Sequence, residues 1–192
     1  MCGSDTYHVH KAIVCPQSHF FRAACRPERF VEGSTNIINI TANPGRNKSV
    51  EPVSPDDTPE FDWDLDVETS DTVKLMIHYL YHHDYLESVL TQNEDVTMRD
   101  AMLVGHVRMY AMGEKYGILG LKNVALTKFY TKGPRSLTVG SLILATVIAF
   151  NSTPESDKYM RNAVLKLLDQ GHRVNGTNPL IQNMILSMPE VD

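Results

Sequence analysis

Apolar residues recur along most of this chain at the spacing of an α-helix, and three short runs read as strands, two of them alternating with a period of two. The first is His8-Val9-His10. It passes without a loop into Ala12 and Ile13 and then into Phe20, Phe21 and Ala24, two short helical faces separated by Ser18, whose hydroxyl suits an N-cap. Thr35-Asn-Ile-Ile-Asn-Ile-Thr41 reads as a second strand, broken by the turn residues Asn43-Pro-Gly-Arg-Asn-Lys-Ser49. In Phe61-Asp-Trp63-Asp-Leu65-Asp66 apolar and acidic residues alternate strictly, which predicts a half-buried edge strand with its acids facing water.

From there the pattern is helical. Ser70 or Asp71 can cap a helix whose inner face is Val73, Met76, Ile77 and Leu80, running into Tyr79-Leu-Tyr81-His-His-Asp84-Tyr85. The polar stretch from Glu87 to Arg99 predicts a loop. Leu103, Val107, Tyr110 and Ala111 mark the next helix, which ends near Tyr116 against Gly117, a left-handed C-cap. Leu121, Val124, Ala125 and Phe129 mark another, stopped by Gly133-Pro134. Leu137–Phe150 follows. Thr153 and Pro154 then predict an N-cap and first position for a helix carrying Tyr159, Ala163, Val164 and Leu167, with a turn at Gly171–Gly176 and a short helix from Asn178-Pro179 to Met188.

A chain of 192 residues can bury a core without staples, and three cysteines at Cys2, Cys15 and Cys25 form no disulfide framework. The start, Met-Cys-Gly-Ser-Asp-Thr-Tyr7, has neither the basic nor the apolar region of a secretory leader. The expectation is therefore an intracellular protein, cytoplasmic or nuclear, in which the Asn-x-Ser/Thr matches at Asn39, Asn47, Asn151 and Asn175 carry no sugar. Leu137–Phe150 is too short to cross a bilayer, which takes about 20 residues. A net charge of −5 and the absence of a basic run exclude a general electrostatic footprint for nucleic acid. Between Glu51 and Asp71 every charged residue is acidic, so this stretch repels itself and reads as a solvated loop.

Four blocks in order resemble the BTB/POZ domain, in its filamentous-fungal form: Val9-x-His10-Lys11-Ala12-Ile13-Val14 with Ser18-His-Phe20-Phe21; Met76-Ile-His-Tyr79-Leu80-Tyr81-x-x-Asp84-Tyr85; Val107-x-x-Tyr110-Ala111-x-x-Glu114-Lys115-Tyr116-Gly117-Ile118-x-Gly120-Leu121-Lys122; and Asn151-Ser-Thr-Pro-Glu-Ser-Asp157 with Met160-Arg161. The resemblance implies an α+β fold, a small β-sheet flanked by α-helices, over residues 1–133, with an acidic insertion at about 42–60 and a helical extension over 134–192. It implies a protein–protein interaction module without enzymatic activity, cofactor or small-molecule substrate. Such a module self-associates as a homodimer and serves as a substrate adaptor for a cullin-3 ubiquitin ligase or as a scaffold for transcriptional co-regulators. Family members carry a further strand upstream of the motif histidine, and only nine residues precede His10, so the first strand of the domain is expected to be missing. The acidic partner of Lys11 lies on that strand, and the charged pocket of BTB transcription factors is not carried over.

By this resemblance Tyr81, Asp84, Tyr85 and Tyr116 are the candidate protein-interaction residues, Tyr81 and Tyr85 being expected at the surface. His10, Lys11, Ser18, Phe21, Tyr79, Leu80, Ala111 and Leu121 are the structural positions of the motif. An enzyme is the competing reading. His78 and His82, four residues apart and followed by His83 and Asp84, would offer imidazole nitrogens to a metal, and Cys15 and His19 share that spacing and would suit a thiolate–imidazole pair. The packing role of Cys15 beside Pro16 weighs against the second, and no phosphate-cradling glycine loop or Ser/His/Asp order rises above background.

Overall fold

The computed structural model describes residues 5–27, 30–40, 65–90, 98–132 and 138–175. Among them helix accounts for 72% and strand for 2%, the latter being lone bridge positions at Asp5 and Ile40, and no sheet forms. This overturns the expected α+β class. A strand obtains its backbone hydrogen bonds from a neighbouring strand, whereas here residues at the ends of the first two runs serve helix termini instead. His10 gives its N–H to the Tyr81 hydroxyl at 2.9 Å, and its carbonyl accepts from Ile13 and Val14 at 2.8 and 3.0 Å to start the first helix. Thr35 ends a helix, and Asn36, in the left-handed region at φ 58°, closes it by donating to the Glu32 carbonyl at 2.8 Å. Leu65 and Asp66 are irregular, and the rest of the third run, with the acidic insertion, lies outside the described residues.

Among the described residues the helices are α1 (Lys11–Gln17), α2 (His19–Ala24), α3 (Val31–Thr35), α4 (Ser70–His82), α5 (Met98–Lys115), α6 (Leu119–Lys132), α7 (Val139–Ser152) and α8 (Lys158–Asn175), with a 3₁₀ turn at Glu87–Val89 inside the expected polar loop. α5 is the axis: α4, α6 and α7 all pack on it, and α8 packs on α6 and α7. The reason lies in its composition. Leu103, Val104, Val107, Met109, Tyr110 and Met112 are all buried, so apolar side chains leave α5 in several directions and neighbours must cover each of them. Gly113 lets α6 come close, since a Cβ there would lie 2.7 Å from the Lys122 Cγ and 2.9 Å from its backbone nitrogen. The boundary at 133/134 lies outside the described residues, as does the final helix expected at Asn178–Met188.

Helix ends follow their side chains. α4 is capped by Thr69, one residue ahead of the expected pair, in a reciprocal box with Thr72, and its C-cap His83 is left-handed at φ 56°. Thr153 does not open α8. It sits at the C-terminus of α7 and donates to the Ala149 carbonyl at 2.7 Å, while Asp157, accepting from the Tyr159 N–H at 3.3 Å, takes the capping position of α8. Tyr159 consequently points outward, 73% exposed, and α8 continues through the expected turn to Asn175. Among the described residues no helix is long and apolar enough to cross a membrane.

Candidate protein interface

The α1–α2 hairpin is fastened to the rest of the molecule at two points. Ser18, fully buried between the two helices, accepts from the Phe21 N–H at 3.1 Å and donates to the Tyr116 carbonyl at 2.6 Å. The N–H groups of His19 and Phe20 point at the Gly117 and Tyr116 carbonyls, both at 3.4 Å, so the start of α2 meets the end of α5 with opposite partial charges facing. Phe21 stacks on the Tyr116 ring with centroids 5.7 Å apart. At the second point Gln17 donates to the carbonyls of Ile13 and Leu80, at 2.9 and 2.7 Å, and so satisfies a carbonyl near the end of α4.

Fixing the hairpin in this way leaves a groove of about 340 Å³ between residues 6–9, α1, the end of α2, residues 36–40 and α4. Val9, Val14, Phe21, Ile37, Ile38 and Ile77 make its walls apolar. Lys11, bonded to the Asn36 side chain, and Glu32 supply its charge. Val9 at 37% and Ile37 at 51% stay exposed at the rim. A concave apolar site with few polar groups suits the side chains of another molecule.

The structure separates the candidate interaction residues. Tyr81 is half-buried, its hydroxyl held 2.8 Å from His10 Nδ1, and Asp84 is exposed. Tyr85 and Tyr116 are not surface residues, being 1% and 2% exposed. Tyr85 turns inward because its hydroxyl meets His106 Nδ1 at 2.7 Å in the core and Lys128 Nζ lies 4.2 Å over its ring. Burial raises the Tyr85 hydroxyl pKa, with Glu87 and Asp84 adding to it. Tyr116 is held by Ser18, by Phe21 and by a hydrogen bond from its hydroxyl to buried Glu68, whose other oxygen pairs with Lys115 at 2.6 Å. Lys128 also bridges the Asp84 carboxylate and the Tyr85 carbonyl, both at 2.7 Å. Desolvation pushes the Asp84 carboxyl upward, but Lys128 and the Tyr85 N–H outweigh it and hold the group below the usual carboxylate range. Nothing in the local pattern marks Lys128, which lies among ordinary helical positions of α6 until folding brings it under Asp84.

No family model, curated protein or solved structure matches the chain.

The motif positions have local structural roles. Phe21, Tyr79, Leu80, Ala111 and Leu121 are buried with Ser18, and His10 and Lys11 are exposed. The enzyme residues do not assemble. Cys15 directs its thiol to the Phe21 carbonyl at 3.6 Å, while His19 lies across the hairpin against Gly117, since Ser18 breaks the helix between them. His78 and His82 do face one another, ring centroids 4.3 Å apart, but His78 Nδ1 is engaged with the Asp84 carbonyl at 2.9 Å. Among the described residues no three His, Cys, Asp or Glu side chains are grouped to hold a metal ion.

Proposed function

We propose that this chain is a protein–protein interaction module that self-associates and, following its resemblance to BTB/POZ proteins, acts as a substrate adaptor for a cullin-3 ubiquitin ligase inside the cell. The observation that carries the reading is the apolar groove beside α1, with Val9 and Ile37 exposed at its rim. Exposed apolar side chains around a concavity gain free energy when a partner covers them, at about 25 cal/mol per Å² of apolar surface buried. The resemblance rests on the helical part of the motif. Its blocks fall on α1–α2, α4 and the α5–α6 pair, in order. Tyr81 and Asp84 are the members of the original candidate set that a partner can reach.

Light scattering on the purified chain, combined with retention on an immobilised cullin-3 N-terminal region, tests the reading. A dimer that retains the cullin is expected, with Val9→Asp and Ile37→Asp weakening self-association and Asp84→Lys weakening cullin retention. A chain that stays monomeric at all concentrations and retains no cullin would overturn it.

A further inference from the structure

Cys15 and Cys25 are free thiols, both half-buried, on two short helices that pack together. They converge on one carbonyl. The Cys15 thiol donates to the Phe21 oxygen at 3.6 Å, and the backbone N–H of Cys25, the C-cap of α2, donates to the same oxygen at 2.9 Å. The hairpin that seats the groove therefore brings together two cysteines that the chain separates by Pro16, Gln17, Ser18 and all of α2. Cys25 lines the open groove, where a small solute reaches it. Arg22 lies beside Cys15, its guanidinium donating to the Cys15 and Pro16 carbonyls at 3.2 and 2.8 Å.

We propose that Cys15 and Cys25 form a modification site, a dithiol that a small peroxide converts reversibly into an intramolecular disulfide. The thiol of Cys25, the residue that lines the groove, attacks hydrogen peroxide and passes its proton to the departing oxygen. A sulfur–oxygen bond forms, the oxygen–oxygen bond breaks, and water is released, leaving a sulfenic acid. The Cys15 sulfur then attacks that of Cys25. The sulfur–sulfur bond forms, the sulfur–oxygen bond breaks, and the departing hydroxide leaves as a second water with the Cys15 proton. Two electrons pass from the two sulfurs to the peroxide. Burial first, and then the neighbouring Cys25 thiol, raise the Cys15 pKa, which fits Cys15 as the resolving group. The product ties α1 to the end of α2.

The full chain is treated with graded hydrogen peroxide, alkylated, and mapped by mass spectrometry without reduction. A single linked pair of peptides, Cys15 with Cys25, is expected, with the loss of two hydrogens and full reversal by dithiothreitol. Because the folded hairpin holds the sulfurs together, linkage should run about tenfold faster in the native chain than in the urea-unfolded one. In Cys15→Ser the Cys25 sulfenic acid should persist long enough for dimedone to trap it. Linkage through Cys2, linkage only between chains, equal rates in folded and unfolded protein, or separate overoxidation of the two sulfurs without a linked peptide would each overturn the proposal.

Discussion

The Tyr110 hydroxyl donates to both carboxylate oxygens of Asp157, at 2.7 and 2.9 Å, and so joins the middle of α5 to the start of α8. Lys122 of α6 reaches the same carboxylate at 2.6 Å and also pairs with Glu114. Three helices thus meet on one charge that is 8% exposed. A carboxylate so enclosed is tolerable only because a cation and a hydroxyl satisfy it together.

Replacing Asp157 with Asn should lower stability by about 3 kcal/mol, since Lys122 then loses a buried counter-charge. Desolvation pushes the Asp157 carboxyl upward, but the Lys122 ammonium and the Tyr110 hydroxyl outweigh it and hold it below its ordinary value. Its stabilisation is therefore complete above the unfolded value of about 3.9 and is lost as the pH falls through the lower folded value. Lys122 runs the other way. Desolvation pulls it down, Asp157 and Glu114 outweigh that, and its raised value means stabilisation present below about 10.4 and lost as the pH rises through the folded value. Urea midpoints of the native and D157N chains should differ at neutral pH and converge in acid. A difference that persists unchanged in acid would contradict the assignment.

Ser18→Ala removes an N-cap and leaves the buried Tyr116 carbonyl without its hydroxyl donor. About 1 to 2 kcal/mol should be lost, which for a chain of this size lowers the midpoint of thermal unfolding by about 2 to 8 °C. Circular dichroism at 222 nm measures it. An unchanged midpoint would mean that the hairpin is not fastened through Ser18.

Gly117 occupies the left-handed region at φ 61°, and a Cβ there would stand 2.9 Å from the His19 Cβ. Gly117→Ala therefore carries both a backbone cost and a crowded contact with α2, about 2 kcal/mol together. Asn tolerates this conformation better than Ala, so Gly117→Asn should retain more stability despite its larger side chain. Guanidinium melts of the two variants rank them, and an alanine variant as stable as the native chain would remove the argument.

Arg161 reaches back from α8 to the end of α7, donating to the Phe150 carbonyl at 3.0 Å, to the Thr153 hydroxyl at 3.1 Å and to the Thr153 carbonyl. Its ring partner is Phe150, 4.9 Å from the guanidinium carbon. Arg161→Met should lose about 2 kcal/mol, and Thr153→Ala should add less on top of it than alone, because the two share a bond. A double-mutant cycle in urea gives the coupling directly. Strict additivity would show that the two side chains act independently.

Helical periodicity alone located the faces of α4, α5 and α6, because each places its apolar residues on whole turns and each meets neighbours that need those faces. The same periodicity placed Ser18 between two helices and Gly117 at a left-handed C-cap, both local matters of one side chain and one φ angle. Strands are different. Val9 between two histidines and the run from Ile37 to Ile40 both read as strands, yet a strand exists only when another strand answers its backbone, and whether one is adjacent is not written in the local sequence. The exposure of Tyr85 and Tyr116 was equally out of reach, since it depends on His106, Lys128, Ser18 and Glu68, residues distant in sequence that only folding gathers.

The sequence by itself determined the inner faces of α4, α5 and α6, the cap at Ser18 and the left-handed turn at Gly117, because these depend on neighbours within a few residues. Only the tertiary structure decided that no sheet forms among the described residues, that Tyr85 and Tyr116 are core rather than surface, that Asp157 caps α8 while holding Tyr110 and Lys122, and that the Cys15 thiol meets the Phe21 carbonyl rather than His19. Each of these depends on which helix packs against which. That choice belongs to the burial of α5 from several sides at once, a property of the assembled chain.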